Sequence, residues 1–397
     1  MPAAQLASDQ LARVGANGSR VRAAFTSSAA LSGDDLRCWG LLASQRPVCA
    51  PLMDATWIQS WAHAFAPQDP ILACARDEGQ LVGLVPLQQV VDSSRGVRVA
   101  VLQSLTNNES YRFDFLTAPG RVDVLQELWR ALCDARRWDL IRVQHVPADS
   151  PTIAAARTIA VELGWRCLVR QTFLTPWRPL SRTTSWDEGL TRRFKSNLHR
   201  RERRLAEAGE IGFSVVTTGR ALRQALEAFY RLEAKGWKGQ SGTAVVQRPA
   251  VKRFYDRLVG QERAGIWIPI LTVGGCPIAV HVVRVWDRTM FGLKTAYEPA
   301  YARFGPGQLL TSRLIRYGLD RGMEVLDFLA DNASWKADWA QDFRPHCELV
   351  LFAPSLAGRA AYWLLHGLQD QLKRVPGMFR LARWVRPASP AQVRSRR

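Results

Sequence analysis

This sequence contains no paired cysteines. Its seven cysteines stand singly, without a C-x-x-C pair, and its six histidines form no ligand pair at helical spacing. An odd, dispersed set of cysteines in a large chain is typical of free thiols in a reducing compartment, and it argues against a disulfide framework or a structural zinc site. The sequence therefore predicts a cytoplasmic protein without a metal.

Long apolar runs are also absent. No stretch reaches the roughly eighteen apolar residues of a membrane-spanning helix. The first 45 residues have no continuous apolar region, so they do not resemble a secretory signal. Their Arg- and Ser-rich, acid-poor composition leaves an organellar transit peptide open, but we interpret residues 1–45 as a disordered basic tail.

Acidic residues are few relative to basic ones. The chain has 54 lysines and arginines against 35 acidic residues, a net charge of +19. Such a surface attracts anions, so nucleic acid, acidic phospholipid and phosphate-rich cofactors such as coenzyme A are all compatible partners. A compositional preference for arginine explains the charge equally well, so charge alone does not identify the partner.

The two halves of the chain repeat one pattern. Each half reads as a hairpin, a further strand, a helix and a buried strand, which indicates tandem domains. We predict an α/β (α+β) fold of two such domains, each with a mixed, mainly antiparallel sheet flanked by helices. The expected segments are a tail (1–45), an N-terminal domain (46–180), a C-terminal domain (181–355), and a basic amphipathic helix with a tail (356–397).

One stretch of the second half combines a candidate phosphate site with titratable residues. Phe291–Trp339 predicts a strand, a Gly-Pro-Gly turn, a helix, a second strand and a loop. A glycine turn that opens a helix, here Gly305 and Gly307, leaves backbone N–H groups at the positive end of the helix dipole. The counterpart in the first half, Ala118-Pro119-Gly120, has one glycine, so the second half is the better candidate for chemistry.

Four stretches resemble the GNAT superfamily of acyltransferases, and in particular its tandem-domain CelD-type branch with BioF-like acetyltransferase domains. Fem-type aminoacyltransferases are more distantly similar. The four stretches are LVGLVPLQQV (81–90), RRFKSNLHRRERRLAEAGE (192–210), YEPAYARFGPGQLL (297–310) and LDFLADNASWKADW (326–339). The resemblance implies two GNAT-like folds, an acetyl-CoA or other acyl-CoA co-substrate, and an acyl-CoA site in the second fold.

The resemblance also implies which residues hold the coenzyme. In this superfamily the pyrophosphate lies on backbone N–H groups of the glycine loop, which correspond here to Gly305, Gly307, Gln308 and Leu309. The usual loop has Gln or Arg three residues before the first glycine. Ala302 occupies that place in this chain, and the following residue, Arg303, can still reach a phosphate.

Acyl transfer from a thioester needs a base, a donor for the oxyanion and a proton source for the thiolate. Asp327 is a candidate base or substrate-orienting carboxylate, although a structural carboxylate would fit its position equally well. Lys336 could hold a phosphate or stabilise the oxyanion, or be a solvated lysine. Tyr297 could protonate the thiolate, or be a core tyrosine with a wet hydroxyl.

These residues predict an N- or O-acyltransferase acting on a small-molecule or glycan-related acceptor, in exopolysaccharide or cell-envelope metabolism. One alternative is a Fem-like aminoacyl-tRNA-dependent transferase, because Arg192–Arg204 forms a strongly basic helix. Only Phe194 supplies an interleaved aromatic there, so the stacking part of a nucleic-acid site is nearly missing. A second alternative is a non-catalytic scaffold that binds anions or the inner face of the membrane through the basic C-terminal tail.

Overall fold

The computed structural model describes residues 21–45, 50–66, 68–93, 98–135, 137–181, 185–330 and 334–364, with the backbone alone at 262. These residues form one thirteen-stranded, mainly antiparallel sheet flanked by helices. The predicted α/β fold class is confirmed. No helix in the described ranges is both long and apolar enough to span a bilayer.

The first half of the chain contributes seven strands and four helices. Its strands are β1 (Arg22–Ser27), β2 (Ile71–Asp77), β3 (Gln80–Asp92), β4 (Val99–Ser104), β5 (Leu116–Thr117), β6 (Leu140–Pro147) and β7 (Arg166–Pro179). Its helices are α1 (Gly33–Ser44), α2 (Ala55–Phe65), α3 (Val122–Asp134) and α4 (Pro151–Glu162).

The second half contributes six strands and the remaining described helices. Its strands are β8 (Ile211–Val216), β9 (Ile266–Val273), β10 (Cys276–Trp286), β11 (Thr289–Tyr297), β12 (Val325–Asp327) and β13 (Asp342–Phe352). Its helices are α5 (Arg192–Ala206), α6 (Gly219–Lys235), α7 (Trp237–Gln240), α8 (Pro249–Val259), α9 (Pro306–Asp320), α10 (Ser334–Ala337) and α11 (Leu356–Tyr362).

The halves exchange their last strands. The strand order is β1-β2-β3-β4-β6-β13-β7-β12-β11-β10-β9-β8, with β5 paired to β3. Strand β13 therefore lies between β6 and β7, and β7 lies between β13 and β12. The predicted division at residue 180 separates two sequence repeats, but it does not separate two sheets.

Apolar residues of both halves share one continuous core. Trp57 of α2 packs edge to face on Phe254 of α8, with ring centroids 4.9 Å apart. Arg284 of β10 is buried against Trp57 and donates to the Asp54 carboxylate at 2.7 Å. Because ordered aromatic contacts and a buried ion pair cross between the halves, we describe them as one packed unit.

The interpretation of residues 1–45 as a disordered tail is wrong for residues 21–45. Ser32 and Asp35 cap each other's backbone N–H groups at 3.1 and 3.0 Å, a capping box that starts α1, and β1 pairs with β2. The predicted terminal helix begins as α11; the basic tail beyond residue 364 and residues 1–20 lie outside the described residues.

Candidate functional site

Strands β11 and β12 diverge and leave a gap in the sheet. They pair in parallel only over Thr289–Phe291 and Val325–Asp327. A register shift against β10 follows, because Val283 faces Gly292 and Val282 faces Lys294, which leaves Leu293 as a bulge. Residues 292–297 of β11 thus have no strand partner on the β12 side, over a length of roughly 20 Å. The backbone along this edge can meet a ligand that enters the gap.

The predicted glycine turn lies at the N-terminus of α9. Gly305 is in the left-handed region, with φ +60°, and forms the N-cap of this fifteen-residue helix. No acidic residue stands in the first turn, so the positive end of the helix dipole is not neutralised from within. The positive φ favours glycine at this position, because a residue with a Cβ is strained there.

The four backbone N–H groups proposed from the sequence differ in availability. Gln308 and Leu309 donate theirs to the Gly305 carbonyl at 3.0 and 3.1 Å, and Gly305 donates its own to Ala302. Among the described residues, the N–H of Gly307 donates to no backbone carbonyl. A Cβ at Gly307 would find only Thr295 Oγ1, at 3.9 Å, so this side of the turn is open for an anion to approach.

A basic side chain from α5 reaches this turn. The guanidinium of Arg201 lies so close to Gly305 that a Cβ there would stand 2.7 Å from Nη1. Helix α5 is held against α9 by an ion pair of Arg313 with Glu202 at 2.7 Å. The predicted phosphate ligand Arg303 is exposed and stacks on the Phe304 ring, 4.7 Å from its centroid. Sequence reasoning singled out the basic helix but missed its contact with the glycine turn.

A buried histidine lies beneath the same turn. His281 of β10 pairs with Thr295 across the two strands. Its ring donates a hydrogen bond to the Gly307 carbonyl, which leaves the Gly307 N–H open. Burial lowers the pKa of His281 to about 4, although the Gly307 contact opposes this shift. The imidazole is therefore neutral near pH 7 and lies directly under the turn. Its Nε2 has no partner among the described atoms.

The Asp327 side chain faces away from α9, and both of its carboxylate oxygens accept hydrogen bonds. Its Oδ2 accepts from Arg112 at 2.5 Å and from Arg344 at 3.2 Å, and its Oδ1 accepts from the Leu329 N–H at 2.9 Å. Asp327 and Arg112 are both buried. Because Arg112 belongs to the first half, this carboxylate links the two halves next to the gap.

Lys336 supports the turn that follows β12, which contains Leu329 and Ala330. Its Nζ donates to the Leu329 carbonyl at 2.7 Å, and the lysine is buried on α10. Leu329 and Ala330 both have positive φ, +48° and +54°, which costs energy in residues with a Cβ. Asp327 and Lys336 thus stabilise a strained turn that directs the chain away from β11 and keeps the gap open.

The predicted site residues fall into three places. Gly305, Gly307, Gln308 and Leu309 form the first turn of α9, Asp327 and Lys336 hold the turn after β12, and Tyr297 is exposed at the end of β11. Among the described residues, no group of three or more His, Cys, Asp or Glu side chains could hold a metal ion. The gap between β11 and β12 connects these places and can admit an extended ligand.

Comparison with known protein families gives a match for the part of the chain that contains α9 and the gap. Residues 192–337 match the family model described as an acetyltransferase (GNAT) domain. No curated protein sequence matches the chain.

Solved structures share the fold over most of the chain. FemX is 12% identical, with 83% of this chain and 98% of that chain covered and a TM-score of 0.57. The C-terminal domain of a putative lysylphosphatidylglycerol synthetase from Agrobacterium fabrum is also 12% identical, with 87% and 98% covered and a TM-score of 0.52. A conserved protein of unknown function from Bacteroides thetaiotaomicron is 11% identical, with 83% and 99% covered and a TM-score of 0.52.

Proposed function

We propose that this chain transfers an acyl group from an acyl-CoA to a small or glycan-related acceptor, since residues 192–337 match the family model of a GNAT acetyltransferase domain. The observation that carries the proposal is the first turn of α9, where the open Gly307 N–H and the Arg201 guanidinium lie together. A helix N-terminus with an adjacent guanidinium suits a pyrophosphate, since both stabilise negative charge.

The gap between β11 and β12 can hold the part of the acyl-CoA that extends beyond its phosphates. A ligand with its phosphates at α9 can extend along residues 292–297, whose backbone groups face the opening left by β12. In the transfer, the acceptor nitrogen or oxygen bonds to the thioester carbon and loses its proton to solvent, the C–S bond breaks, and the sulfur leaves as a thiolate that takes up a proton. Tyr297 at the end of this stretch is the proposed proton donor; Asp327 and Lys336 are proposed as positioning residues.

Calorimetric titration with CoA, acetyl-CoA and longer acyl-CoAs tests the proposal. We expect one of them to bind, and Arg201→Gln to weaken binding about tenfold because one charge-assisted contact is lost. Arg200→Gln is the matched control, since Arg200 is exposed and donates to Asn197 on the same helix. Absence of binding by every CoA tested contradicts the proposal.

One observation favours a second candidate function, an aminoacyl-tRNA-dependent transfer on the same fold. Helix α5 exposes five arginines to solvent, at positions 192, 193, 200, 203 and 204. Such a row can contact a nucleic-acid backbone, whose binding then depends strongly on salt. Charge reversal by Arg200→Glu and Arg203→Glu should weaken tRNA retention on a filter; unchanged retention counts against this candidate.

A further inference from the structure

A network of buried carboxylates and cations lies on the face of β11 opposite α9. Glu109 comes from the first-half loop 105–115 and is buried. Its carboxylate accepts hydrogen bonds from Arg248 and from the Tyr255 hydroxyl, both at 3.0 Å, and pairs with Lys294 of β11 at 2.8 Å. One acid of the first half thus gathers three groups of the second half.

A second buried carboxylate extends the network. Glu233 of α6 binds Lys238 of α7 at 2.7 Å and accepts the Val245 N–H at 2.7 Å. Burial lowers the pKa of Lys238, and the nearby charge of Lys294 lowers it further. The two ammonium groups are therefore close enough to repel each other within one cluster.

The cluster has more positive than negative charge. Three cations share two carboxylates, and the carboxylates are buried while the cations reach solvent: the side chains of Lys238, Arg248 and Lys294 are 25%, 35% and 13% exposed. Nε of Arg248 has no partner among the described atoms. Excess charge in a partly buried site is costly unless an opposite charge compensates it. The opening of the cluster thus suits an anion.

The cluster also lies where the proposed donor would present its acyl group. Lys294 stands on the stretch of β11 that pairs with β10 but no longer pairs with β12, and its Nζ lies 5.9 Å from the centroid of the Tyr255 ring. The next residue, Thr295, faces Gly307 on the α9 side. A ligand that enters the gap from α9 therefore ends on the side of the cluster.

We propose that Lys238, Arg248 and Lys294 form a binding site for an anionic group of the acceptor, a carboxylate or a phosphate, with Glu109 and Glu233 positioning them. This inference rests on the proposed acyl transfer, since it names the substrate class of that site. The first half then contributes Glu109 to the acceptor side of the site.

Two matched pairs of amines distinguish the anion. Thiol release from the acyl-CoA is measured with O-phosphoethanolamine against ethanolamine, and with β-alanine against 3-aminopropan-1-ol. We expect kcat/KM for the member of at least one pair that carries the anionic group to exceed that of its counterpart without that group about tenfold, which is the effect of one charge-assisted contact. Lys238→Gln and Arg248→Gln should bring the ratio close to one without changing the affinity for CoA.

Lys252→Gln is the control, because it removes the same charge from α8, where Lys252 pairs with Asp256 outside the cluster. Equal rates for the amines with and without the anionic group, or a ratio that survives both cluster variants, overturn the inference.

A second arm separates this inference from the proposed function. Inorganic phosphate is titrated into Arg201→Gln protein, in which the proposed coenzyme contact is weakened. Phosphate binding that is lost in the Arg201→Gln, Lys238→Gln double variant supports the cluster even if no CoA binds. Binding that persists, or that is absent from both proteins, overturns it.

Discussion

Asp327→Asn should lower the free energy of unfolding by about 3 to 5 kcal/mol, the usual cost of breaking a buried ion pair. The Asp327 carboxylate and the Arg112 guanidinium are both buried and lie 2.5 Å apart, so solvent screens their interaction little. The partly exposed Arg344 adds a weaker contact to the same carboxylate at 3.2 Å. Asparagine keeps the shape and can still accept the Leu329 N–H. The loss therefore reports on the charge that joins the two halves.

Urea unfolding followed by tryptophan fluorescence measures the effect, since the chain has 15 tryptophans. Tyr297→Phe is the control: Tyr297 is exposed, so its stability should stay within about 0.5 kcal/mol of wild type. Its turnover should fall by about a hundredfold if it donates the proton. A double-mutant cycle with Arg112→Met should give a coupling energy of about 1 kcal/mol or more.

The opposite pattern would refute this account of Asp327. If Asp327→Asn keeps its stability within about 0.5 kcal/mol and still binds CoA, but loses turnover by about a hundredfold or more, the carboxylate acts as the base. The link between the halves would then have to reside in other contacts, such as Arg284 with Asp54.

Two further predictions follow from buried groups. Burial and the Arg112 charge lower the pKa of His346 to about 2, so below about pH 6.5 the unfolded chain binds a proton that the folded chain does not. Stability should then fall by up to about 1.4 kcal/mol per pH unit on acidification, and urea midpoints at about pH 7 and pH 5 should show a smaller fall for His346→Phe; equal falls would contradict this. Cys276 is exposed whereas burial raises the pKa of Cys74 to about 12, so peptide mass spectrometry should find iodoacetamide on Cys276 before Cys74; labelling of Cys74 ahead of Cys276 would contradict it.

Local periodicity predicted much of the fold because its signals lie within each element. In the stretch Phe291–Trp339, the predicted strand, glycine turn, helix and second strand are found in that order as β11, the turn at Gly305, α9 and β12. Asp54 marks the start of α2 by accepting the Trp57 N–H at 2.8 Å. The exchange of β7 and β13 could not be predicted in this way, since periodicity identifies a strand but not its distant partners.

The same distinction between local signals and distant contacts applies to the residues of the candidate site. Gly305 and Gly307 were recognisable because the chemistry of a glycine turn before a helix is local. The partner of Asp327 is 215 residues away in Arg112, and Arg201 approaches Gly305 from another helix. Only packing of the two halves and of α5 on α9 brings these groups together, so the sequence offered the residue types without their neighbours.

The first half shows why the second is the better place for an anion. Its strands β4 and β6 also pair in parallel over only three residues, Val101–Gln103 on β4. The chain after β4 then follows β6, where the Phe113 N–H donates to the His145 carbonyl at 3.2 Å, so that opening is filled. At the start of α3, Asp123 pairs with Arg121 at 2.8 Å and supplies the negative charge that a helix N-terminus attracts. Helix α9 has no acid in its first turn and borders an open gap, so the same repeat provides a closed support in one half and the proposed anion site in the other.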